Sequence, residues 1–146
     1  MTPASQAAVA QIAAAFELGV GRVVVDLGAG TGQRARLLSE TGARVIAIEP
    51  SAALRAQLAA AVATVEILDG SADDIPLPEW TADLVVVADP TVWLGAAEAV
   101  AAVHRVIRPG GGLAVIGDTP PSSLAFLADG FTPVEEHDVV KWCRKR

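Results

Sequence analysis

Three glycines, Gly28, Gly30 and Gly32, stand at every second position behind the β-branched run Val23 to Val25 in the stretch VVVDLGAGTGQ. Glycine reaches backbone angles closed to other residues and has no Cβ to hold a ligand away, so such a loop brings bare main chain against a small molecule. Amides at the start of a following helix can then face that molecule. One strand and one helix later, Glu49 ends the run VIAIE. A carboxylate at the end of a second strand can accept from both hydroxyls of a ribose, each bond to the charged acceptor contributing about 1.5–3 kcal/mol. A second reading of Glu49 stands beside the first: a carboxylate interacting with the macrodipole of a helix that opens at Ser51. The glycine spacing separates cofactor types. A dinucleotide GxGxxG fingerprint needs glycine where Gln33 stands if it starts at Gly28, and where Ala35 stands if it starts at Gly30. Both registers fail, which argues against a nicotinamide cofactor.

These residues need a frame, and the chain supplies an alternating one. Val9, Ile12 and Phe16 form one stripe of a helix over 4–18, ended by Gly19 and Gly21. The segment 22–27 reads as a strand buried on both faces, because it lacks alternation. A helix over 31–41, a strand over 43–49 and a helix over 51–61 with Ser51 as N-cap follow. Next come a strand over 64–68, a Gly/Asp/Pro loop DGSADDIPLPEW and a fourth strand ADLVVVAD. A helix over 95–106 is closed by an RPGGG turn before a fifth strand, LAVIGD. A short helix over 122–128 precedes one or two terminal strands in FTPVEEHDVVKWCRKR. Such alternation predicts an α/β fold, a Rossmann-like three-layer sandwich whose mainly parallel twisted sheet has about seven strands. In such a sheet, ligands bind outside the carboxyl ends of the strands, where the glycine loop falls.

The bulk properties exclude several classes. At 146 residues the chain has the size of one domain, residues 1–146, and 52% of it is hydrophobic, yet no apolar run approaches the ~18 residues of a membrane span. The first residues lack the basic segment of a signal peptide, so the expectation is a cytoplasmic protein. One cysteine, Cys143, and two histidines, His104 and His137, make no metal cluster, and no metal is expected. His104 reads as a packed helix residue. Cys143 reads as a structural thiol, although its basic neighbours could lower its pKa. The net charge of −6 repels polyanions, so nucleic acid is not the expected partner. The cationic tail KWCRKR reads as a solvated terminal strand rather than a phosphate-binding patch.

The acidic-x-Gly-x-Gly-x-Gly pattern of Asp26, Gly28, Gly30 and Gly32 resembles motif I of class I S-adenosylmethionine-dependent methyltransferases. DGSADD is similar to the superfamily's motif after the third strand, with Ser71 where many relatives carry Asp. EAVAAVHRVIRPGGGLAVIGD closely resembles its fourth helix, turn and fifth strand. The resemblance covers about residues 23–118 and is greatest to the trans-aconitate methyltransferase-like branch. Where that branch often has His-Trp after the fourth strand, this chain has Val92-Trp93. The resemblance implies S-adenosylmethionine as cofactor and S-adenosylhomocysteine as product. It implies a site of Asp26, Gly28, Ala29, Gly30, Gly32, Glu49, Pro50, Ser71, Ala72, Asp73 and Ala88, with Ser71, Ala72 and Asp73 beside the adenine. It also implies an antiparallel hairpin at the end of the sheet.

Methyl transfer from a sulfonium is an in-line displacement, so alignment and shielding are the protein's main tasks and a dedicated base is optional. The positions able to reach the methyl are Asp89, Thr91, Trp93 and Asp118, at the carboxyl ends of strands four and five. Few residues precede the first strand or follow the fifth, so little or no substrate lid is expected, the short helix within 1–20 apart. The expected acceptor is an unidentified small molecule; the short lid itself leaves three readings, a large acceptor that brings its own surface, a homodimer or partner subunit that closes the site, or lost transfer activity. A cofactor-binding module or regulatory subunit without its own catalysis is the alternative.

Overall fold

A computed structural model describes residues 3–88, 94–117, 119–137 and 140–146, the side chains of residues 3, 4 and 121 excepted. In chain order the elements are α1 (Pro3–Ala15), β1 (Val23–Leu27), α2 (Gln33–Ser39), β2 (Arg44–Ile48), α3 (Ala52–Ala61) and β3 (Glu66–Leu68). They continue with β4 (Ala82–Ala88), α4 (Ala97–Val106), β5 (Ile107–Ile116), a 3-10 helix (Pro121–Leu127), β6 (Glu135–Glu136) and β7 (Val140–Arg144). The seven strands form one sheet in the order β3-β2-β1-β4-β5-β7-β6. Strands β1 to β5 run parallel, and β7 is antiparallel to both β5 and β6.

Alternation along each strand divides the core between the faces. Val24, Val45, Ala47, Leu84, Val86, Ala114 and Trp142 pack under α1, α2 and α3, with Ile12, Phe16, Leu38 and Leu58 from the helices. Val25, Leu27, Ile46, Ile48, Val85, Val87 and Cys143 face α4 and the 3-10 helix, which contribute Val103, Val106, Leu124 and Leu127. The expected stripe of Val9, Ile12 and Phe16 is buried. Strand β1 has five consecutive buried positions because helices cover both its faces.

The chain leaves β1 towards β2 and β3, then returns to the other flank of β1 as β4. This reversal lies between β1 and β4, whose ends are paired through Leu27 and Val87. A crevice at the carboxyl edge follows from it.

Three expectations need correction. The third strand is Glu66–Leu68, because α3 and its exit extend to Val65. RPGGG is no turn between a helix and a strand: α4 passes directly into β5, and Arg108 to Gly111 form a bulge opposite the single residue Asp83. A Cβ on Gly111 would meet the Asp83 carbonyl at 2.6 Å, and one on Gly112 would meet Phe16 at 2.5 Å, so the glycines serve close packing. The tail cations are only partly solvated: Arg146 is exposed and Arg144 and Lys145 are half-buried. Arg144 donates to the carbonyls of Gly110 and Ala15, Lys145 to those of His104 and Ile107, and Arg146 to that of Phe131, while Lys141 is buried. They fasten the last strand to the amino edge of the sheet.

Cys143 is buried with its Sγ towards the Leu113 carbonyl, and burial pushes its thiol up to about 12. Its basic neighbours do not activate it. Iodoacetamide at pH 8 is expected to leave the folded protein unlabelled and to add one adduct in denaturing urea, read by intact mass. An adduct on the native protein would show that β7 opens.

Candidate functional site

The glycine loop sits where the carboxyl ends of β1, β2 and β4 meet. The N–H groups of Gly28 and Ala29 donate to the Ile48 carbonyl at 2.8 and 3.2 Å, which binds the loop to the end of β2. Gly30 and Gly32 are needed for different reasons. Gly30 has φ +60°, and a Cβ built on it meets nothing within 4 Å, so its missing side chain leaves open space. Gly32 has φ +95°, and a Cβ there would lie 2.2 Å from Leu58 Cδ1, so it lets α2 pack on α3. It is buried and the N-cap of α2, which runs Gln33–Ser39 rather than over the expected 31–41.

A cavity of about 390 Å³ opens beside this loop, lined among others by Gly28, Ala29, Gly30, Thr31, Arg34 and Ala88. Four of the sequence-predicted residues, Gly28, Ala29, Gly30 and Ala88, therefore share one wall. Gly32 lies behind it.

Glu49 is 4% exposed and accepts from two backbone amides, that of Gly30 on Oε1 at 2.9 Å and that of Ser51 on Oε2 at 2.8 Å. One carboxylate thus joins the glycine loop to the start of α3. The Ser51 bond gives the helix reading a physical contact, and Ser51 caps α3 as expected, accepting from the Leu54 amide. Each carboxylate oxygen has two lone-pair sites, so both retain acceptor capacity. Arg55 braces the neighbourhood: its Nη1 donates to the carbonyls of Glu49 and Pro50 and pairs with Asp69 at 3.1 Å, tying the ends of β2 and β3 together.

Beyond Asp69, Ser71 and Asp74 exchange backbone bonds in a tight turn, and the Ser71 hydroxyl donates to Asp73 at 2.6 Å. Ala72 is buried in the core beside Ile75, whereas Asp73 and Pro50 are exposed. Asp26 is wholly buried one turn below the loop and paired with Arg34, and burial raises its carboxyl above the usual range despite that cation. Its Oδ2 has no partner. Asp89, Thr91, Trp93 and Asp118, the positions predicted to reach the methyl, lie outside the described residues, as does Val92.

A family model of methyltransferase domains matches residues 25–115, which contain the loop, Glu49 and the first five strands. The chain belongs to this family. The methyltransferase domain is 38% identical over 108 residues to an uncharacterized methyltransferase of Mycobacterium tuberculosis, covering 74% of this chain and 44% of that protein. The chain thus spans under half the length of the first curated relatives it matches. A SAM-dependent methyltransferase from Aquifex aeolicus has the same fold, with a TM-score of 0.77 at 21% identity over 99% of this chain and 93% of the other. So does the cyclase SpnF, with a TM-score of 0.71 at 23% identity over 92% and 60%. Fold and family are therefore those expected from the glycine pattern.

Sequence reasoning missed Arg34 and Arg55. Arg34 follows the glycines by two residues and could have been flagged as a cation beside a ligand loop; Arg55 carries no local signal. It also missed Asp83, buried in β4, which accepts from the Val23 amide at 2.8 Å and meets Arg22 and Arg108. Its signal was an acid in an otherwise apolar strand. A larger apolar cavity of about 710 Å³ lies between α4 and the 3-10 helix, with His104 and Phe131 edge to face on its wall. His104 is the packed residue expected, its pKa lowered by burial and by Lys145. Among the described residues no group of three or more His, Cys, Asp or Glu side chains could hold a metal, and no helix is long and apolar enough to cross a membrane.

Proposed function

We propose that this chain binds S-adenosylmethionine at the carboxyl edge of β1, β2 and β4, and that it is the cofactor-binding core of a methyltransferase acting on a small molecule. The observation carrying this is Glu49, a buried carboxylate with spare acceptor capacity beside a glycine loop whose bare face opens on a cavity. The residues fit the cofactor: Glu49 for the ribose hydroxyls, Gly28 to Gly30 for close main-chain approach, and the turn of Ser71 to Asp73 for the base. The cofactor would supply a methyl group already activated on a sulfonium. The protein's part is to hold that group in line with the acceptor and keep water away. The net charge of −6 supports a small-molecule acceptor over a nucleic acid.

Two titrations and one assay test the reading. The purified chain is expected to bind S-adenosylmethionine at micromolar concentration and to ignore a nicotinamide dinucleotide. Methyl transfer from a radiolabelled cofactor to a panel of small acids and amines would then identify the acceptor. Tight binding of the dinucleotide alone would overturn the assignment.

A further inference from the structure

Among the described residues, Arg34 is the one charged residue on the wall of the glycine-loop cavity. Its side chain is 18% exposed and turns back from the first turn of α2 towards β1. Nε donates to Asp26 Oδ1 at 2.7 Å, Nη2 lies 2.6 Å from the same oxygen, and Nη2 also reaches the Gly28 carbonyl at 3.4 Å. One edge of the guanidinium is thereby fully engaged. Among the described residues nothing accepts from Nη1. Asp26 is 0% exposed, and its second oxygen, Oδ2, is buried without a partner.

A pair whose only task is mutual neutralisation would place the two nitrogens of the fork on the two oxygens of the carboxylate, the strongest arrangement open to it. Here both nitrogens crowd one oxygen. Leaving a charged acceptor partly unsatisfied in the interior is costly. The arrangement instead holds a cavity-lining cation by Nε and Nη2 and leaves Nη1 without an acceptor among the described residues. A charged donor fixed in this way suits an anionic acceptor, of which a carboxylate is the simplest.

Resting on the cofactor assignment above, we propose that Arg34 binds the α-carboxylate of the cofactor's amino-acid end through Nη1, and that Asp26 is the positioning residue that orients it. The cofactor's other recognition points are neutral or cationic, so this contact selects for an intact amino-acid head.

Decarboxylated S-adenosylmethionine, which keeps the sulfonium, nucleoside and amine but lacks the carboxylate, isolates the contact. The full chain is titrated calorimetrically with both ligands, as are Arg34→Gln, Arg34→Lys and the double variant Asp26→Asn/Arg34→Gln. The unmodified chain is expected to prefer the intact cofactor by about tenfold or more, and Arg34→Gln to bring the two affinities within about threefold. It should do so by weakening the intact cofactor alone. Arg34→Lys keeps the charge without the fork and should retain part of the preference. If Arg34→Gln does not fold because Asp26 is left buried and unpaired, the double variant removes both charges and the same ratio is read there. Equal weakening of both ligands, or an undiminished preference, would overturn the role of Arg34 and leave the cofactor site intact. Failure of the unmodified chain to bind either ligand would overturn the cofactor site itself.

Discussion

Replacing Glu49 by alanine is expected to weaken S-adenosylmethionine binding by at least about tenfold, or ~1.4 kcal/mol, and S-adenosylhomocysteine binding by the same factor. The equality follows from chemistry, because the ribose is common to both ligands and the charge on sulfur is not. The size follows from the loss of hydrogen bonds to a charged acceptor, each contributing about 1.5–3 kcal/mol, partly offset by water entering the site. The variant also removes the acceptor of the Gly30 and Ser51 amides, so some of the loss will come from a loosened loop. A melting curve separates that share. Calorimetry on both ligands is the measurement, and unchanged affinity would leave Glu49 as a brace for α3 alone.

A second large effect is expected at Gly32, and it falls on stability. An alanine methyl there would lie 2.2 Å from Leu58 Cδ1 and 3.4 Å from Val62 Cγ2, on a backbone with φ +95°. The left-handed conformation costs about 1–2 kcal/mol and overpacking a closed core about 1–3 kcal/mol more. Gly32→Ala should therefore lose roughly 2–5 kcal/mol in urea unfolding, a large part of a small domain's stability. Adding Leu58→Ala relieves the clash but not the backbone strain and opens a void of its own, so the double variant should lose less than the sum of the two singles. Additive losses would show that Leu58 already has room to move aside.

The central sheet was legible because strands covered on both faces spell themselves as unbroken apolar runs, as in Val23 to Val25 and Leu84 to Val87. What misled was local chemistry overruled by distant partners. Arg-Pro-Gly-Gly is turn vocabulary, yet Asp83 and Phe16, far away in sequence, hold it as a bulge. The charges of Arg144, Lys145 and Arg146 suggested solvent until the carbonyls that receive them came into view. At the site, the glycines and Glu49 could be read because loop geometry demands them. Arg34 and Arg55 could not, since a long flexible side chain shows its target only when the backbone has placed it.

Of the seven strands described, β7 is the latest in chain order, yet it lies inside the sheet between β5 and β6 rather than at its rim. Until it emerges from the ribosome, the apolar flank Leu113 to Ile116 of β5 is an open edge, and β6 has nothing to pair with. Trp142 and Cys143 also complete the two opposite cores, so closure of both waits on one late insertion. An exposed apolar edge of this kind is a template for other chains. Synthesis that stalls before Val140 should therefore yield aggregates rather than a smaller folded domain, and a chaperone that shields one strand edge would act at that moment.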